Sequence, residues 1–152
     1  MKRFASAALL PAAMMAMTVS ANADGAATFD MSCAFCHQAG GVGVPGQFPR
    51  LAGRAGEIAA KPDGKKFLPE VLLNGMSGRI TVDGEQVLGI MPAFDSMSDD
   101  DMAALLTYLT GLEHAPVAYT ADDIKQARAL PKLSPGDVAA QRAALAAKKV
   151  VP

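Results

Sequence analysis

Cys33, Cys36 and His37 stand in the run Cys33-Ala34-Phe35-Cys36-His37. On a helix, residues three and four apart share a face, so two thiols and one imidazole converge from little more than one turn. That convergence suits two thioethers to the vinyl groups of a haem, with the imidazole entering an axial position on its iron, and C-x-x-C-H reads as a c-type attachment site for this reason. A rival pattern follows it. Gly41, Gly43 and Gly46 spell G-x-G-x-x-G, but a dinucleotide-binding loop follows a strand and opens a helix, and Pro45 and Pro49 stand where that helix would run. Gly40, Gly41, Gly43 and Gly46 are expected instead to let irregular backbone pass close to a flat macrocycle, because glycine adopts positive φ and has no Cβ.

Two other chemistries use paired cysteines. A thiol-disulfide oxidoreductase places its C-x-x-C after a strand and lowers the pKa of one thiol, whereas residues 24–32 show no strand-like alternation. A plain disulfide suits an exported chain with two cysteines, but it gives His37 no task. With haem on His37, the other axial position separates an electron carrier from a haem enzyme or ligand sensor with an open distal face. Methionine there marks electron-transfer cytochromes and raises the potential. The candidates are Met31, Met76, Met91, Met97, Met102 and His114. Met31 lies two residues before Cys33, and Met102 falls on the apolar stripe of Leu105, Leu106 and Leu109, so both read as packing. Met97 precedes Ser98 and reads as a staple onto the following helix. Met76 can cover a haem without ligating it, and His114 would give bis-histidine ligation with a lower potential.

The attachment run, Phe48-Pro49-Arg50-Leu51-Ala52-Gly53 after a glycine-rich loop, Gly89-Ile90-Met91-Pro92-Ala93-Phe94 and a last amphipathic helix together resemble the class I cytochromes c over residues 24–112. The resemblance implies an all-α fold wrapping one haem c, covalent through Cys33 and Cys36. It places Met91, in a loop stiffened by Pro92, at the family's ligand methionine, opposite His37. It also gives the carbonyl of Pro49 the task of accepting the second ring N–H of the ligating histidine, which sets tautomer and ring plane. Arg50 beside it reads as a partner for a haem propionate, and Leu51 as pocket lining. No catalytic residue is expected. Small periplasmic cytochromes of this kind partner dehydrogenases. The chain is thus expected to be a single-electron carrier, taking electrons from a periplasmic dehydrogenase and passing them to another cytochrome or a terminal oxidase of the respiratory chain.

Compartment and size agree with that expectation. Lys2 and Arg3, the largely apolar residues 4–19 and the A-x-A site Ala21-Asn22-Ala23 read as a signal peptide over 1–23. As an uncleaved anchor the stretch is shorter than the roughly 20 residues that span a bilayer, and Pro11 interrupts it; no stable membrane insertion is expected after cleavage. A chain starting near Asp24 carries 12 basic against 15 acidic residues, which argues against nucleic acid as a partner.

The elements that must position the site can be read in outline. Helices are expected over 54–61 and over 69–74, the second with Pro69 in its first turn and Gly75 as its stop. Residues 79–88 alternate around Asp83-Gly84, the strongest short hairpin signal, and lead into the Met91 loop. Ser98 with Asp101 starts the last core helix, and the acids at 99–101 complement its dipole rather than bind metal. The predicted organisation is a signal peptide over 1–23, a cytochrome domain over 24–114, and a helical extension over 115–152. The extension has helix starts at Thr120 and Ser134 and six basic residues, Lys125, Arg128, Lys132, Arg142, Lys148 and Lys149, against three acids. It is compatible with packing on its own domain or with a partly disordered arm, and it is read as a partner-docking segment that the haem crevice does not need.

Overall fold

Asp24 accepts hydrogen bonds from the amides of Ala26 and Ala27 and so caps the first helix, α1 (Gly25–Ser32). The computed structural model describes residues 24–152; the predicted signal peptide lies outside the described residues. After a single-turn helix, α2 (Ala34–His37), and the glycine loop come α3 (Arg54–Ala59) and α4 (Pro62–Asn74), then the strands β1 (Met76–Val82) and β2 (Glu85–Met91). The helix α5 (Asp99–Gly111) and two helices of the extension, α6 (Ala121–Arg128) and α7 (Pro135–Ala147), complete the chain.

The frame is the crossing of α1 over α5. A Cβ on Gly25 would lie 2.2 Å from the carbonyl oxygen of Ala104, so only glycine lets the two backbones meet there. Phe29, fully buried, packs on Tyr108 with ring centroids 5.7 Å apart. Met102, Leu105, Leu106 and Leu109 of α5 form the core beneath. Ser98 caps α5 by accepting from the amide of Asp101, and the three acids lie in its first turn, where the dipole favours them.

The helix expected to begin at Pro69 begins instead at Pro62, and Pro69 lies in its interior. An interior proline leaves the carbonyl four residues earlier without its N–H partner. That carbonyl belongs to Lys65, and the hydroxyl of Tyr119 donates to it at 3.0 Å. A distant residue thus completes the helix, which local sequence could not show. Tyr119→Phe is expected to lower stability by about 1 kcal/mol, the net worth of one hydrogen bond, as a fall in melting temperature with the haem spectrum unchanged.

β1 and β2 pair antiparallel with Met76 opposite Met91 and Val82 opposite Glu85. Asp83 and Gly84 both have positive φ, 51° and 83°, as a two-residue turn matched to strand twist requires. The hairpin is longer than the alternation suggested, and Met91 ends its second strand.

The extension packs on its own domain. Thr120 with Asp123 and Ser134 with Asp137 form capping boxes that start α6 and α7. Ile124 joins the main core, while Val138, Leu145 and Val151 pack with Ile58, Phe67 and Val71 in a second cluster. Arg128 donates to Asp99 at 2.6 Å and to the carbonyls of Asp95 and Met97; Lys132 pairs with Asp95 at 3.0 Å. Several of the basic residues that suggested an outward arm therefore face their own chain. No helix among the described residues is long and apolar enough to cross a membrane.

Candidate functional site

Cys33 ends α1 and stands as the N-cap of α2, where its carbonyl accepts from the amides of Cys36 at 3.2 Å and His37 at 2.9 Å. That single turn directs Cys33, Cys36 and His37 to one crevice, which Phe48 and Pro49 border from the glycine loop. The opposite wall is the hairpin: Ile80 and Val87, directly paired, line it together with Met76 and Met91. Leu51 closes the inner end beside Leu72 and Leu106.

His37 is buried, and its Nδ1 donates to the carbonyl of Pro49 at 2.8 Å. That bond leaves Nε2 as the nitrogen available to a metal. Burial pushes the imidazole pKa down, partly opposed by the Pro49 bond, so the ring is kept in the neutral form that ligates. Burial, with the neighbouring Cys36, pushes the Cys33 thiol up to about 11. A dithiol oxidoreductase needs the opposite, a thiol made acidic by its surroundings.

Met91 is held from both sides of its backbone. Gly75, with φ 71°, ends α4 so close that a Cβ there would meet the Met91 carbonyl at 2.6 Å, and the amide of Phe94 donates to Leu72 of α4 at 2.7 Å. Met76 faces the same crevice from the paired position. The other candidates are elsewhere: Met31 is 80% exposed and Met102 fully buried. Met97 packs against the main core, and His114 lies 3.9 Å from Glu57, off the crevice walls.

Gly40, Gly41, Gly43 and Gly46 all have positive φ, and what comes close at Gly43 is the chain's own backbone: a Cβ there would lie 2.6 Å from the amide of Arg50. The tight loop folds onto residues 48–52 and so sets the Pro49 carbonyl against His37. Arg50 borders the crevice, but its guanidinium is engaged by Asp83 at 3.0 Å, by the carbonyl of Ala52 and, at 3.7 Å, by Glu113. The hydrogen bond from Arg50 holds the Asp83 carboxyl below the usual carboxylate range. The sequence reading also missed Arg54 and Arg142, both buried and both on the crevice wall; Arg142 lies in the extension, beyond the resembling segment.

These residues fit a haem. The crevice has apolar walls, two thiols and a neutral imidazole at one edge, a thioether on the hairpin side, and guanidinium groups at its inner end. Residues 22–113 match the family model described as Cytochrome c. The chain belongs to the cytochrome c family. It is 41% identical over 134 residues to a cytochrome c-552 of Thermus thermophilus, covering 84% of this chain and 89% of that protein. A second Thermus thermophilus cytochrome c-552 is 41% identical over 132 residues, covering 83% of this chain and 99% of the relative. The fructose dehydrogenase cytochrome subunit of Gluconobacter japonicus is 33% identical over 126 residues, which is 78% of this chain but 24% of that longer protein. The fold is that of a class I c-type cytochrome with a two-stranded hairpin, and membership carries with it covalently attached haem c and electron transport.

Proposed function

We propose that this cytochrome is a periplasmic single-electron carrier, exported by residues 1–23, with haem c bound through thioethers from Cys33 and Cys36 and ligated by His37 and Met91. The observation that carries the reading is that these four side chains, three from one helical turn and Met91 from the hairpin, border one apolar crevice. Bound haem would supply the one-electron couple. The protein's part is to hold it: Pro49 fixes the His37 ring, Leu51 and the hairpin exclude water, and Gly75 with Pro92 steadies the backbone of Met91. No side chain has to move a proton.

A periplasmic dehydrogenase is the proposed electron donor, supported by the likeness to a dehydrogenase's cytochrome subunit. The acceptor is proposed to be another cytochrome or a terminal oxidase. An excess of acidic residues in the exported chain speaks against nucleic acid. The exposed Lys125, Lys148 and Lys149 of the extension suit docking to an acidic partner, in a manner weakened by salt.

The test is the spectrum of protein exported from a strain able to attach haem. A low-spin, six-coordinate haem that resists acid-acetone extraction is expected. Cys33→Ala with Cys36→Ala should make the haem fully extractable, because His37 and Met91 hold it only by coordination. A high-spin spectrum would point to an open distal face and an activity other than electron carriage; haem still covalent in the double variant would refute the attachment.

A further inference from the structure

Arg142 is 8% exposed and reaches the haem crevice from α7, a helix outside the segment that matches the family. Among the described residues its one hydrogen bond is to the carbonyl of Thr81 in β1, at 2.9 Å. A guanidinium has five N–H donors and a charge that cannot be discharged by losing a proton. Among the described residues no carboxylate lies within ion-pair distance of it. Arg54, 7% exposed, borders the same cavity and repels it. Asp83 is shared between Arg54 at 2.8 Å and Arg50 at 3.0 Å, and Arg54 also donates to the carbonyl of Pro152. A buried charge without a partner is costly, and Arg142 is left without an anionic one.

We propose that Arg142 binds a propionate carboxylate of the haem, so that the C-terminal extension contributes a residue to the cofactor site. The proposal rests on the haem reading above and deepens it. Haem carries two propionates, and a guanidinium fork matches a carboxylate through paired hydrogen bonds. Arg50, the arginine that stands next to the family's Phe-Pro motif, is already engaged by Asp83, Ala52 and Glu113. The extension thereby has a reason to pack over the hairpin rather than project from it.

The test measures midpoint potential against pH in the holoprotein and in Arg142→Gln, with covalent haem content determined on both. An arginine at the carboxylate lowers its pKa by about one unit or more. In the parent the propionate stays ionised and contributes no slope between about pH 5 and pH 8. In Arg142→Gln its ionisation moves up into that range. An ionised propionate favours ferric iron, so the variant's potential falls as pH rises, meeting the parent's curve at low pH and lying below it at high pH. Glutamine keeps an N–H for Thr81, so a purely packing role predicts a lower melting temperature without the new slope. Arg54, the charge that acts on Arg142, and Arg50 and Asp83, which pair beside it, are the same in both proteins. Superimposable curves at equal haem content would overturn the proposal, whereas a parent without covalent haem would overturn the function itself. Should the glutamine variant accumulate poorly, Arg142→Lys carries the test through the propionate bending band in resonance Raman: a shifted band is expected at unchanged spin state, and an unmoved one refutes the contact.

Discussion

Met91→Ala should retain the covalent haem and lose its sulfur-to-iron bond. The potential is expected to fall on the order of 100 mV or more, within the roughly 0.8 V over which axial ligands set haem potentials, and the ferric methionine charge-transfer band should vanish. The thioethers and the His37 to Pro49 bond lie on the other side of the crevice and do not depend on Met91. Met76 makes the experiment discriminating, since it occupies the directly paired position on β1 and faces the same cavity. Met91 is preferred because its backbone is fixed against α4 at Gly75 and, through Phe94, at Leu72. Met76→Ala should therefore keep the band with a modest loss of stability, about 2–3 kcal/mol for a half-buried methionine. Survival of the band in Met91→Ala together with its loss in Met76→Ala would reverse the assignment.

Truncation after Ala115 is expected to have a comparably large effect, on stability first. It removes Tyr119, Ile124, Val138, Leu145 and Val151 from two clusters, at roughly 1.5–3 kcal/mol for each apolar side chain taken out of water. The total approaches the whole stability of a domain, about 5–15 kcal/mol. It also strips the Tyr119 hydrogen bond from α4 and the Arg142 contact from β1. The truncated protein should accumulate poorly, melt at a much lower temperature, and show mixed ligation as the hairpin carrying Met91 loosens. The alternative expectation, that a docking arm can be removed without disturbing the haem, predicts an unchanged melting curve and spectrum with slower electron transfer from the donor at low salt. Thermal melting followed at the haem absorption bands distinguishes the two.

The attachment site was legible from sequence alone because its geometry is local. Two cysteines and a histidine within five residues converge from one helical turn whatever surrounds them, and the same locality made the Asp83-Gly84 turn and the caps at Ser98, Thr120 and Ser134 readable. The glycine loop was legible as irregular backbone, though not what it approaches. Tertiary structure alone decided the features whose partners are distant in the chain. Pro69 sits inside α4 because Tyr119, 54 residues away from Lys65, satisfies the carbonyl that the proline leaves open. Arg50 turns to Asp83, 33 residues on, because the hairpin turn is brought beside it. The extension folds back because Val138, Leu145 and Val151 find Ile58, Phe67 and Val71 uncovered; an alanine-rich helix shows little apolar bulk in its own sequence, and the surface it fits exists only after α3, α4 and the hairpin have assembled. For the same reason no window around Arg142 could mark it as a crevice residue, since its burial and its lack of an acidic partner depend on which segments surround it.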